Sequence, residues 1–420
     1  AGLNGAPLNT YSYRSLAVAP RFGFAIDVFG NGKTAIRGGF GQYYDRLDGN
    51  QVYNMSGQPP LAYTPIVYYG TLDGLTGSTG AVGAGNISYW SGHSPLPESR
   101  SASFGVQQSI GWSTVLDVSW QGTYGIHRNG REEQNAIPLG ANFDPKYIDP
   151  TQTGNKPLPS IFERVNYRGL ANMNAMWFGA HSNYNALEIT LKRRFSHGLQ
   201  WGAAYTWSHD LALTSIDPLV ANNRQRNYGN ASTDRRQLLS VYYAYDIPKA
   251  GKALNSKLLG IITDGWNFSG ITTFSSGAPF TPGFSTSPSL DITGSPSETP
   301  RLDVVGNPKA NVPAGHSFNP SAFAEPAVGT IGNAGVNMIV GPGYSNWDMT
   351  MTRIIPLGSS ERRSLQLKFE AFNVFNHAEF NGQSSNYTFN ASGVNTVTSI
   401  GQYNGDRGPR ILSLEVRLEF

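Results

Sequence analysis

The sequence predicts an all-β chain that folds as a transmembrane antiparallel β-barrel. Three observations carry that prediction. The last ten residues alternate without a break. Segments of strand length come in pairs, joined by tight turns on one side and long loops on the other. Charged residues make up only 14% of the 420, against roughly 25% in soluble proteins.

From Ile411 to Phe420, the residues Leu412, Leu414, Val416, Leu418 and Phe420 share one face. Ser413, Glu415 and Arg417 lie on the other, with Ile411 and Glu419. Period two with one apolar face is the pattern of a strand between lipid and a polar interior. The terminal aromatic resembles the insertion signal of bacterial outer-membrane proteins, which implies Leu414, Val416, Leu418 and Phe420 as that signal and the barrel assembly machinery as a partner.

The same period pairs Arg21–Phe29 with Lys33–Tyr44 around Gly30-Asn31-Gly32. It pairs Ser101–Trp112 with Val115–Tyr124, and Ala186–Phe195 with Leu199–Ser208 around Ser196-His197-Gly198. Leu238–Ile247 pairs with Trp266–Ser275 across a longer link, and Trp347–Ile355 with Ser364–Phe375 around Gly358-Ser359-Ser360. With Arg410–Phe420 this gives about eleven strands of about ten residues, enough to cross a bilayer at a tilt. Long loops are expected at 45–100, 125–185, 209–236, 276–345 and 377–408. Short turns inside the cell envelope and long loops outside it are the outer-membrane arrangement. The 26 prolines keep to loops and strand edges, where a missing N–H costs no ladder bond.

Aromatic girdles follow from the same frame. Tyr43, Tyr44, Tyr124, Trp207 and Trp347 are expected at the loop ends, and Phe29, Trp112, Phe195, Trp266 and Phe420 at the turn ends. Arg193 and Arg353 fall in phase with the apolar face at the turn ends, where a long side chain can reach the interface. Asp27, Arg37, Asp117, Glu188, Lys192, Lys368, Glu370, Glu415 and Arg417 fall on the polar face. Wall ion pairs or contacts with a plug are the expected roles.

An odd number of strands cannot close an antiparallel barrel, and open edges are not viable in lipid. The chain is therefore expected to be one C-terminal barrel domain, residues 1–420, forming the second half of a barrel of about 22 strands. The first residue is Ala1, which reads as a cut end.

The strand segments include Ala19-Pro20-Arg21-Phe22-Gly23-Phe24-Ala25, Arg37-Gly38-Gly39, Asn183-Tyr184-Asn185-Ala186-Leu187 and Lys192-Arg193-Arg194-Phe195. Further on come Asp234-Arg235-Arg236, Tyr245-Asp246-Ile247-Pro248, Gly341-Pro342-Gly343-Tyr344 with Trp347-Asp348, and Phe369-Glu370-Ala371-Phe372-Asn373-Val374-Phe375-Asn376-His377. In this order they resemble the C-terminal half of a TonB-dependent receptor barrel of the Oar-like kind. That resemblance implies an outer-membrane transporter of a Gram-negative bacterium, driven from the inner membrane. Its partners would be a TonB complex acting through an N-terminal part, outer-membrane lipid and lipopolysaccharide, and an unknown solute. A passive porin-like channel and a secreted all-β adhesin or carbohydrate-binding protein are the alternatives.

Catalytic signals are weak. Gly32-Lys33-Thr34 imitates the end of a phosphate loop, but Asp27 stands where that motif needs glycine. Gly77, Gly80, Gly83 and Gly85 read as a surface loop. Gly343-Tyr344-Ser345-Asn346-Trp347 fails the nucleophile elbow at its fifth residue. The seven histidines form no metal pair, and Glu132-Glu133 read as adjacent loop carboxylates. No enzyme, cofactor or metal is expected. With a net charge of +3, no nucleic-acid partner is expected either. His209-Asp210 and His377 could touch a ligand at strand ends. Arg224, Arg226, Arg235 and Arg236 could meet lipopolysaccharide phosphates or an anionic ligand.

Overall fold

Eleven strands follow one another in a single antiparallel path in the computed structural model. The structure describes residues 16–46, 49–50, 53, 57, 66–71, 81–83, 85–90, 95–160, 162–163, 166–168, 170–213, 226–253, 255–357 and 363–420. The strands are β1 (Arg21–Asp27), β2 (Thr34–Tyr44), β3 (Glu98–Gly111), β4 (Thr114–Glu133), β5 (Met173–Ser196) and β6 (Leu199–Leu213). They continue as β7 (Gln237–Asp246), β8 (Trp266–Ser275), β9 (Tyr344–Pro356), β10 (Ser364–Phe372) and β11 (Ile411–Glu419). Each pairs with its sequence neighbour on the path. Two short segments, Ile87–Trp90 and Tyr228–Asn230, add to β5 and β6. Among the described residues β1 and β11 are the two ends of the path and do not pair with each other.

The register aligns the apolar residues into rows. Leu412 lies beside Ala371, Leu414 beside Phe369, Val416 beside Leu367 and Leu418 beside Leu365. Phe104, Trp120, Leu187 and Trp207 make another row across four strands. These side chains are not packed away: Leu412 is 69% exposed and Phe420 95%. The opposite face carries the charges. Lys368 bonds Glu370 at 2.6 Å and approaches Glu415 at 4.0 Å.

Tight turns close the hairpins as the sequence predicts. Asp27 Oδ2 accepts a hydrogen bond from Gly32 N, and Gly30 and Gly32 have φ of 66° and 69°. The aspartate that breaks the phosphate-loop motif is thus what holds the turn. The link between β7 and β8 is helical, at Ala250–Ala253 and Lys257–Thr263. Arg353 donates to the carbonyls of Ile261 and Asp264 at the end of that second helix, a favoured place for a cation. Arg193 donates to Ser196 O. Both arginines are tied to backbone at the turn end. The turn at 358–360 lies outside the described residues. No described helix is long and apolar enough to cross a membrane, which says nothing of strands.

Three expectations need correction. The loop 125–185 is partly strand. β4 and β5 run for 20 and 24 residues, and 24 residues reach about 80 Å, well past a bilayer. Glu132 and Glu133 therefore end a strand, paired with Ala175 and Asn174. Tyr43 also leaves its girdle. It lies over Gly41 on the polar face, with the Arg21 guanidinium 4.8 Å from its ring centroid.

The long loops between β8 and β9 and between β10 and β11 fold together into a cap. Its core is Leu302, Phe318, Ala322, Phe323, Ala334, Ile339, Tyr387, Phe389 and Ile400. Gly283–Ser287 pairs in parallel with Asn386–Asn390 to join the two loops. Phe318 meets Phe323 edge-on at 5.7 Å, and Tyr387 stacks on Phe389 at 5.7 Å. Burial raises the Tyr387 phenol above its ordinary range, and its hydroxyl donates to Pro320 O at 2.9 Å.

Candidate functional site

The site is built where the polar face of the wall meets the cap. Alternation in β4 fails after Tyr124 because a bulge intervenes. Gly125 pairs with Ser182 and Arg128 with Ala180, so three residues of β4 span what two span on β5. The shift is undone at the next pair, Asn129 with Phe178, so the phase changes only locally. His127 takes a left-handed φ of 52°, and Arg128 lands on the polar face with Thr123 and Gly125. A side chain at 125 would clash, since a Cβ there would sit 2.9 Å from Arg128 Cδ. Glycine makes the space that the arginine occupies.

Arg128 Nη1 donates to Ser182 Oγ at 3.2 Å. Beyond it lies a cavity of about 290 Å³, walled by Arg128, Ser182, Asp210, Asn230, Thr233 and Asn337. Asp210 Oδ2 accepts from Thr233 Oγ1 at 3.0 Å. A second cavity of about 310 Å³ shares Arg128 and Ser182 and runs past Tyr43, Tyr44, Asp45 and Glu98. Arg128 is exposed between the two. The arrangement offers one cation, carboxylates and amides that can donate and accept. It can hold a polar solute through several hydrogen bonds. No group of three or more His, Asp or Glu able to hold a metal occurs among the described residues.

The cavity floor is stapled to the cap. Asn230 Nδ2 donates to Asn337 O at 3.0 Å and Asn337 Nδ2 to Asn230 O at 2.7 Å. A Cβ on Gly229 would lie 2.6 Å from Val336 O, so that close approach requires glycine. Arg226 donates to Ile331 O and Gly332 O, and its guanidinium lies 3.8 Å from Glu298.

The four arginines named from the sequence are therefore not one cluster. Arg226 is buried, its side chain 4% exposed, and it is spent on loop architecture. Burial removes it from any surface that lipopolysaccharide could reach. Arg235 Nη1 donates to the carbonyls of Ser232 and Asp234. Arg236 is 41% exposed and 3.7 Å from Asp234. Arg224 lies outside the described residues, as do Gly77 and Gly80. His209 bonds Asn230 rather than a vacant surface, and His377 bonds the buried Glu379 at 3.0 Å. Arg128 and Ser182 were missed because the period reading stops at the bulge. The signal was slight: Gly125-Ile126-His127 breaks phase, and the run from Arg128 to Glu133 carries no apolar side chain to show a period.

A family model described as an outer membrane beta barrel domain matches residues 1–412. Among solved structures, the chain is similar to the outer membrane transporter YddB from Escherichia coli, with 9% identity and a TM-score of 0.44, covering 96% of this chain and 40% of that one. It is also similar to a mutant of the ferric enterobactin receptor PfeA from Pseudomonas aeruginosa, with 12% identity and a TM-score of 0.44, covering 96% and 40%. The chain thus spans about two-fifths of the length of these structures. No curated protein matches it.

Proposed function

The chain belongs to the outer membrane beta barrel domain family and resides in a Gram-negative outer membrane, and on that premise we propose that it is the second half of a TonB-dependent receptor barrel of the Oar-like kind. Residues 1–420 would form one wall segment of a closed barrel of about 22 strands. The polar face would line the lumen around a plug, and the cap would stand outside the cell. A polar solute would be captured in the mouth cavity around Arg128 and Asp210, then released inward when the plug is displaced. A TonB complex would supply that energy through an N-terminal part.

One observation carries the reading. Eleven strands in unbroken antiparallel order expose apolar rows on one face and charges on the other, and they stop at two open ends. Among the described residues those two ends stay unpaired, and open strand edges are not viable in lipid, which supports further strands completing the ring. The motifs from Ala19 to His377 supply the Oar-like assignment by resemblance.

The test is to read the coding DNA upstream of Ala1. The proposal expects it to continue in frame through about eleven further strands and a plug with a TonB box. A start codon and signal peptide directly upstream would overturn active transport in favour of a small pore or an adhesin.

A further inference from the structure

We propose that a polar solute bearing an anionic group moves from the mouth cavity toward mid-membrane along one lane of the wall, on the polar face of β1–β4, and that Tyr43 is the gate of that lane. Three cavities lie in series there. The mouth cavity, of about 290 Å³, shares Arg128 and Ser182 with the second, of about 310 Å³. The second shares Tyr43 and Thr123 with a third, of about 470 Å³. The third reaches Gly39, Ser103 and Gln121, which are direct cross-strand neighbours. Gly39 lies five residues beyond Thr34, where β2 leaves the turn. At the rise and tilt of a barrel strand this is about 13 Å up the wall, near the middle of an apolar band about 25 Å tall.

The polar face is not the same all along the wall. Gly39, Gly41, Ser101 and Ser103 line the third cavity. On the same face of β7 and β8 stand Leu238, Tyr242 and Ile271, which are 39%, 37% and 55% exposed. Large apolar side chains suit packing against a plug, whereas hydroxyls and the Gln121 amide suit a hydrated solute. Arg21 is the charged residue that lines the third cavity. Asp45 and Glu98 line the second, but Glu98 is buried and already holds Arg100 at 2.5 Å. With Arg128 at its head and Arg21 at its foot, the lane favours an anionic group.

Tyr43 stands where the second and third cavities join. Its ring rests on Gly41, because a Cβ at 41 would lie 2.6 Å from the Tyr43 hydroxyl oxygen. The Arg21 guanidinium lies 4.8 Å from the ring centroid and favours that position of the ring. A side chain at 41 would lift the ring off the wall and into the joint. The missing side chain therefore keeps the lane open. This inference rests on the proposed plugged barrel, with the cap outside the cell.

Single cysteines would be placed in the full-length protein, on a background without other cysteines, and labelled on whole cells of a porin-deficient strain. The probes are two small methanethiosulfonates, one carrying a sulfonate and one a trimethylammonium group. Ser103→Cys is expected to label and Leu238→Cys is not, although Ser103 to Gly111 and Leu238 to Asp246 are the same distance from the turn ends of their strands. The sulfonate should react faster at Ser103→Cys, each probe scaled by its rate with a free thiol, and Arg21→Gln should remove that preference. Adding Gly41→Ala should lower Ser103→Cys to the rate of Leu238→Cys and leave Ser182→Cys, above the gate, unchanged. Tyr43→Ala on top of Gly41→Ala should restore labelling, a rescue that misfolding would not give. Ser103→Cys labelled alike with and without Gly41→Ala would overturn the proposal. Leu238→Cys labelled as fast as Ser103→Cys would mark an open pore and overturn the plugged reading with it. Labelling of Val328→Cys, a cap position 63% exposed, by an impermeant maleimide tests the orientation separately. An unlabelled cysteine there faults the orientation, whereas a labelled one with Ser103→Cys unlabelled faults the lane alone.

Discussion

In the wall, Leu412, Leu414, Val416 and Leu418 leave between 57% and 69% of their surface exposed, whereas in the cap Leu302, Phe318 and Ile400 leave 0–1%. The two regions use the same residue types under opposite rules. The wall has no partner layer on its apolar face, so it depends on lipid to cover those rows. The cap buries its own aromatics as a water-soluble domain does. The difference teaches which solvent each region meets. The polar cavity beside Arg128, Asp210 and Asn337 lies where the two regimes join.

Breaking the cap without breaking the wall is the strongest way to test that division. Phe318→Ala removes a fully buried ring and should cost about 3–5 kcal/mol of local stability. Proteolysis of loops 276–343 and 373–409 should accelerate, while heat-modifiable barrel folding persists. Loss of both would mean that wall and cap are one cooperative unit. Replacing the buried Arg226 with Met should act on the same region by a similar amount, about 3–5 kcal/mol, by leaving Glu298 without its counter-charge. The same change at half-exposed Arg236 should leave cap proteolysis unaltered.

The wall should fail differently. Leu414→Arg places a charge on the lipid face and should cost about 2–4 kcal/mol at mid-membrane, read as a lower folded fraction in lipid vesicles. Glu415→Arg, one residue on, should not, because it faces the polar side. Removing Phe420 should reduce outer-membrane yield of the intact protein, and normal assembly of that truncation would sink the insertion-signal role.

At the junction, Arg128→Ala should leave assembly intact and lower solute uptake about tenfold, by loss of a charged hydrogen bond. Unchanged uptake would move the site elsewhere. The smallest effect is expected from Lys368→Met. Its ion pairs with Glu370 and Glu415 are partly exposed, and such pairs contribute little.

The wall was legible in the sequence because its signal is local. Period two in Leu412–Phe420, and Gly30-Asn31-Gly32 between two strands, need no knowledge of the rest of the chain. Strand β4 was read short because Gly125, Ile126 and His127 disturb the phase and the run from Arg128 to Glu133 carries no apolar side chain to restore a period. The cap was unreadable for another reason. Its core joins Leu302 to Ile400 through strands of two to five residues, too short to show a period. Arg226 looked like a surface charge because its partners, at 298 and 331–332, are far away in sequence.

The most direct test of the inside-out wall uses the absence of cysteine from this chain. Single cysteines would be placed in turn at 411 to 419 of the intact protein, spin-labelled, and studied in lipid bilayers. Collision with oxygen reports lipid, and collision with a water-soluble nickel chelate reports solvent. The account predicts strict alternation, with Leu412, Leu414, Val416 and Leu418 meeting oxygen and Ser413, Glu415 and Arg417 meeting the chelate. Equal access of the chelate to both sets would contradict it and place this strand in water on both faces.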